Sequence, residues 1–200
     1  MAEANLTKNA LAGAMKELIL EKPFEKITVS DICEHCGMNR KSFYYHFQDK
    51  YDLVNWIFLV GFMEEIAPDF SEADAEGDIR LGWAGVEKLC AYFYREKEFY
   101  KRAFQIEGQN SFRDYFHDAV FPAFYAILAD ILQDDNYGDF FVTLLCDAMV
   151  SGLVNWLTAR ETAPPEEMLS STREMFIRLA RRVVEDVEAE DAEGADPSEL

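Results

Sequence analysis

Apolar positions recur at helical spacing along most of the chain, and no stretch shows the two-residue alternation of a strand. Near the N-terminus, Leu11, Ala14, Met15 and Leu18 predict a first helix that ends at Lys22-Pro23. Lys8 and Lys16 on that helix face either phosphates or solvent. Val29, Ile32, Cys33 and Cys36 then fall at i, i+3, i+4 and i+7, the spacing of a short helix with one buried stripe. Thr28 and Asp31 give it a capping-box-like start, and Gly37 stops it. Asn39 is a good N-cap for a second short helix, in which Phe43 and Phe47 point inward at i and i+4. Arg40, Lys41, Tyr44 and Tyr45 are left on the opposite face. Two short helices joined by a tight glycine-containing turn make a helix-turn-helix, whose second helix is slim enough for a DNA major groove.

Asp49 followed by Asp52 reads as a further helix start. From Leu53 to Ile66 the pattern is apolar almost all round, which predicts a long helix buried between two domains. Residues 68–78 are acidic and read as a loop. Ile79 to Tyr94 predicts a helix with Trp83, Val86, Leu89, Cys90 and Phe93 in its stripe, and Glu98 to Ile106 another, closed by Gly108. Asn110 or Ser111 starts an aromatic helix in which Pro122 is expected to cause a kink or a break. A turn is expected over 134–138. Phe140 to Arg160 predicts a helix with Leu144, Leu145, Ala148, Gly152 and Trp156 as inward candidates. Ala163-Pro164-Pro165 starts the last helix, which carries Met168, Met175, Phe176, Leu179, Val183 and Val184. These last two helices are more apolar than one small core needs, the pattern of a two-fold interface. The predicted architecture is all-α. It has a three-helix DNA-binding domain over 1–50, a larger helical effector-binding and dimerisation domain over 51–187, and an acidic tail over 188–200.

A chain of 200 residues that is 50% apolar buries a full core, which excludes a disordered protein. No run of about eighteen apolar residues stands out as a membrane span, and the polar N-terminus lacks a signal-peptide core. A soluble cytoplasmic protein is expected. Its four cysteines are then expected to stay reduced. The formal charge of −19 opposes nucleic-acid binding by the molecule as a whole. Residues 1–50, however, balance seven cations against seven anions, so all the excess acid lies beyond them. That asymmetry turns the N-terminal end toward DNA and the remainder away. The expectation is modest nonspecific affinity with strong salt dependence. From Glu185 onward there are acids and no base, which reads as a frayed helix end and a solvated tail.

The stretch runs Thr28, Ile32, Cys36, Gly37, Met38, Asn39, Arg40, Phe43, Tyr44, His46, Phe47, Lys50 and Leu53. It resembles the DNA-binding domain of the TetR family of transcriptional regulators. The run Tyr44-Tyr45-His46-Phe47 followed by Lys50 is its most specific part. Cys36, Met38 and Asn39 stand where alanine, valine and serine are usual, departures that bear on base preference rather than fold. The resemblance implies a dimer whose interface is built by the last two long helices of each subunit. The positions Phe99, Tyr100, Phe104, Gln109, Asn110, Ser111, Phe112 and Tyr115, with Asn155-Trp156-Leu157, are similar to a TetR subgroup that includes dihydroxyacetone-kinase operon regulators.

The candidate DNA-binding residues are Thr28, Asn39, Arg40, Lys41, Tyr44, Tyr45, His46 and Lys50. Thr28, Tyr44, His46 and Lys50 are expected to bond phosphates and set the register, and Arg40 and Lys41 to read base edges. The expected partners are a near-palindromic DNA operator, a second copy of the chain and a small-molecule effector of unknown identity, with repression the expected outcome and activation the alternative. Tyr92, Phe112, Tyr115, Phe116 and His117 are the candidates for an effector pocket. Cys33 and Cys36 form a C-x-x-C that suggests a thiol- or metal-responsive alternative, but both lie on the buried stripe, where packing is the plainer reading. No catalytic set, phosphate loop, metal motif or cofactor motif is visible, so no enzyme is expected.

Overall fold

The computed structural model describes residues 2–68, 79–108, 111–132, 139–170 and 172–173. All regular structure among them is helical, as the periodicity predicts. Helix α1 (Ala2–Glu21) buries Leu11, Ala14, Met15, Leu18 and Ile19 and ends before Pro23, which has no N–H to continue it. A 3-10 turn, Phe24–Lys26, leads into α2 (Val29–His35). The Thr28 hydroxyl accepts from the Asp31 N–H, and the Asp31 carboxylate accepts from the Thr28 N–H, so the capping box is complete. Gly37 has φ +69°, a left-handed conformation that lets the Met38 N–H reach the Cys33 carbonyl at 2.8 Å and closes the helix. Helix α3 (Arg40–His46) follows, with Asn39 accepting from the Ser42 N–H. Phe43 and Phe47 are buried beneath it.

Helix α4 (Lys50–Glu65) starts on Asp49, whose carboxylate accepts from the N–H groups of Tyr51 and Asp52. It buries Leu53 and Val54 in the N-terminal head and Phe58 and Phe62 in the second domain. The second domain continues through α5 (Ile79–Arg95), α6 (Lys97–Ala103), α7 (Phe112–Leu132) and α8 (Asp139–Thr158). A last helix, α9, begins at Pro165 and is described over 165–170 and 172–173. Phe58 is the hub of an aromatic core: Phe93 stacks on it at 5.9 Å, and Phe112 and Phe116 meet it edge-on at 5.7 and 5.4 Å. Close approach of α4 to α5 requires Gly61, where a Cβ would overlap the Tyr92 hydroxyl.

Several expectations change. The helix expected to reach Ile106 ends at Ala103 and relaxes into a turn. Pro122 does not break α7. Pro122 lies on the exposed side, so water can meet the Asp118 carbonyl that the missing N–H leaves free, while Phe112, Phe116, Val120 and Phe124 hold the opposite side in the core. In α8 the inward residues are Val142, Leu145, Cys146, Val150, Leu153, Val154 and Leu157. Of the candidates read from sequence only Leu145 is buried. Trp156 is half-buried, and Leu144, Ala148 and Gly152 are exposed. Phe140–Thr158 is also long and apolar enough to cross a membrane by length and composition, which the sequence reading missed. It is a helix with two apolar faces, one packed on α5, α6 and α7 and the other open. Most of the expected loop over 68–78, the turn over 134–138, and all of the chain beyond Arg173, including Met175, Phe176 and the acidic tail, lie outside the described residues.

Candidate DNA-binding interface

The outer face of α3 presents the side chains that the pattern assigned to it. Arg40, Lys41, Tyr44 and Tyr45 are all exposed, Tyr45 at 82% and Tyr44 at 53%, while Phe43 beneath them is fully buried. This contrast follows from helical geometry: Phe43 and Phe47 share one side, and the intervening positions point the other way. Rings order the outer face. Tyr44 meets Phe43 edge-on at 5.5 Å, the Arg40 guanidinium lies 5.9 Å from the Tyr44 ring centre, and Tyr45 meets His46 edge-on at 4.9 Å. His46 is half-buried at the end of the helix. A cation and two phenols held by their neighbours lose little side-chain freedom on meeting a surface, which favours recognition.

The capping residues are more occupied than the sequence suggests. Asn39 accepts through Oδ1 from the Ser42 N–H and Ser42 hydroxyl at 2.9 and 3.3 Å, leaving its amide NH2 as the outward donor. Thr28 donates its hydroxyl proton to Asp31 at 2.9 Å and its N–H at 2.7 Å, so neither donor is spare for a phosphate. Lys22 pairs with the same carboxylate at 2.9 Å. That ion pair and the Thr28 bonds hold the Asp31 carboxyl at about 2, well below its ordinary 3.8.

Lys50 departs furthest from expectation. Its ammonium does not face outward to a phosphate; it donates inward to the carbonyls of Phe24, Ile27 and Glu25 at 2.7, 2.9 and 3.3 Å. Lys16, another candidate for phosphates, reaches into the second domain and pairs with Glu96 at 3.0 Å. Lys8 lies over the rings of Phe47 and Trp56. Of the seven cations in residues 1–50, Lys8, Lys16, Lys22 and Lys50 are thus engaged within the protein. The exposed cations are Arg40 and Lys41 on α3 and Lys26 just before Thr28.

Cys33 sits in the core, where burial raises its thiol above the usual range, and the Cys36 thiol donates to the Ile32 carbonyl at 3.2 Å. His35 turns to Glu17, 2.6 Å away. A raised thiol pKa means little thiolate, the form that binds metals and exchanges disulfides. Cys33 is therefore packed core, as its place on the buried stripe implies.

The five pocket candidates do not come together around either of the two cavities seen among the described residues. Tyr92, Phe112 and Phe116 are buried core, and the Tyr92 hydroxyl is spent on Tyr100 at 2.6 Å. Around them the aromatic helices pack ring against ring. Tyr115 instead lines a polar cleft of 350 Å³ between the starts of α4 and α7, beside Asp52 and Asp118. His117 links α7 to α8 through Asp147 at 2.8 Å. A larger cavity of 520 Å³ lies between α5 and α9, walled by Trp83, Ala84, Ala91, Pro165 and Leu169 and rimmed by charged side chains.

One connection had no sequence signal. Arg102 on α6 donates to the carbonyl of Ile19 in the last turn of α1 at 2.8 Å. The intrahelical donor for that carbonyl would be residue 23, a proline, so the guanidinium supplies the bond that Pro23 lacks. With Lys16–Glu96, it ties the head to the second domain across 80 to 83 residues of chain.

Comparison with known proteins bears on both halves. Residues 4–57 match the description "Bacterial regulatory proteins, tetR family", and residues 83–178 match "Transcriptional regulator C-terminal region". The HTH-type dhaKLM operon transcriptional activator DhaS of Lactococcus lactis subsp. lactis (strain IL1403) is 29% identical over 108 residues, 54% of each chain. The chain thus matches about half the length of that curated relative. A solved structure of the dihydroxyacetone kinase operon activator DhaS superposes with a TM-score of 0.56 over 88% of this chain and 96% of that one, at 20% identity. At that identity the likeness speaks to the fold.

Proposed function

The chain belongs to the TetR family of bacterial transcriptional regulators, and we propose that it acts as a homodimer whose two α3 helices enter successive major grooves of a near-palindromic operator. It is a regulator and not an enzyme. The observation that carries the reading is the outward set on α3: two cations and two phenols exposed on a helix whose other side is locked by Phe43 and Phe47. Arg40 and Lys41 read base edges, where donors suit guanine O6 and N7. Tyr44, His46 and the Asn39 amide approach phosphates, and Tyr45 lies against the groove wall.

Dimerisation is supported by the open face of α8, where Phe140 is 80% and Leu144 50% exposed and Ala148 and Gly152 continue the stripe. A small-molecule effector is placed in the 520 Å³ cavity between α5 and α9, a volume within the roughly 300–1,000 Å³ of ligand sites. Closure around it would move α5, which packs on α4, and α4 enters the head. Repression by blocking a promoter is the direction expected of the sequence. The curated relative named above is an activator, and this favours activation as the second reading.

Footprinting and gel shifts on the region upstream of the protein's own gene test the proposal. Arg40→Ala is expected to weaken operator binding by about 10- to 100-fold, the worth of a base contact, and Tyr44→Phe by several-fold. Unchanged binding in both variants overturns the assignment of α3. Transcription in vitro from the footprinted promoter, with and without the protein, decides the direction.

A further inference from the structure

Lys50 opens α4, yet its side chain belongs to the connection between α1 and α2. An ammonium has three N–H donors and no acceptor. Here three backbone carbonyls, of Phe24, Glu25 and Ile27, converge on it within 3.3 Å, and the Phe24 ring lies 4.3 Å below it. Residues 24–27 form a 3-10 turn and its exit, where carbonyls lack the regular partners of an α-helix. The same stretch ends at Thr28, the N-cap of α2. Burial works against the ammonium's charge, and Glu25, Asp31 and Asp49 favour it from a distance.

We propose that Lys50 is a positioning residue for DNA binding. From the first turn of α4 it staples the entry of α2, and so sets the stance of the helix-turn-helix without touching DNA itself. The inference rests on the DNA-binding reading above and adds a route to it. Because α4 runs on into the second domain, a rotation of α4 is delivered to the start of α2 through three hydrogen bonds, two of them under 3.0 Å. Arginine cannot replace the lysine in this role. A planar guanidinium spreads its donors in a fork, whereas the three carbonyls surround a single point. A phosphate contact makes the opposite demand, since arginine serves a phosphate at least as well as lysine.

The full-length protein as Lys50→Met, Lys50→Arg and, for contrast, Lys41→Met is titrated with the duplex that the wild type protects upstream of its own gene. Titrations run at several salt concentrations, well below each variant's melting temperature. Amide exchange over residues 24–32 is followed without DNA. Lys50→Met and Lys50→Arg are both expected to bind about tenfold more weakly or worse, with the wild-type salt slope and faster exchange over 24–32. Lys41→Met, which removes a base contact, is expected to bind more weakly with wild-type exchange over 24–32. Wild-type affinity in Lys50→Arg, with a slope reduced by about 0.9 per head in Lys50→Met, overturns the proposal in favour of a phosphate contact. A lowered melting temperature with undiminished operator affinity also overturns it, leaving a purely structural lysine. If the wild type protects no site at all, the operator reading fails, and the exchange measurement still decides whether Lys50 holds the turn: unchanged exchange in both Lys50 variants removes the staple.

Discussion

Asp31 shows how much of this reading head is settled by single side chains. One carboxylate accepts from Lys22, from the Thr28 N–H and from the Thr28 hydroxyl, and is held at about 2 against an ordinary 3.8. A depressed folded-state value means that the charged form stabilises the fold. That contribution is full above about pH 4 and is lost as pH falls toward about 2. Asp31→Asn is therefore expected to melt below the wild type at neutral pH, with the gap narrowing through that acid window; a gap that is constant with pH contradicts the assignment. The capping box was legible because it is a local pattern with a fixed spacing. The roles of Lys50 and Lys16 were not, because a flexible side chain goes to whatever partners the fold brings near it, here carbonyls 23–26 positions away and a carboxylate 80 positions away.

Between elements, the clasp from α6 to α1 has the clearest consequence. Pro23 deprives the Ile19 carbonyl of its helical donor, and Arg102 replaces it from the second domain. Arg102→Met leaves that carbonyl unpaired in a half-buried site, at a cost of about 1–2 kcal/mol. The expected outcome is faster amide exchange in the last turn of α1 with little change in α7; protection that is unaltered in α1 argues that the clasp carries no weight. The boundaries of most helices were legible because glycine, proline and capping residues act on their immediate neighbours. Of the kink or break expected at Pro122, the break is absent because the cost of a proline depends on which side of the helix it occupies, and only packing decides that.

For the molecule as a whole, two surfaces matter: the outer face of α3 and the open face of α8. Leu144→Arg places a charge on the α8 stripe, at a half-exposed position away from the buried side of the helix. It is expected to give a folded monomer by sedimentation, with operator affinity reduced by at least about tenfold through loss of the paired half-site. A variant that stays dimeric places the interface elsewhere. The charge asymmetry between the two halves was visible in the sequence, but which of the head's cations face outward was not. Four of the head's seven cations are engaged inside the protein, so few remain to displace counterions.

By itself the sequence determined the helical class, the helix-turn-helix with its caps, and the division between inward phenylalanines and outward cations and phenols. Each is a matter of spacing within a few residues, and a local rule suffices for it. Only the tertiary structure decided that Tyr92, Phe112 and Phe116 are buried core, that a cavity lies between α5 and α9, and that Leu144, Ala148 and Gly152 face outward. A helix that is apolar on two faces carries no mark of which face meets its own core. That choice is made by the helices packed against it.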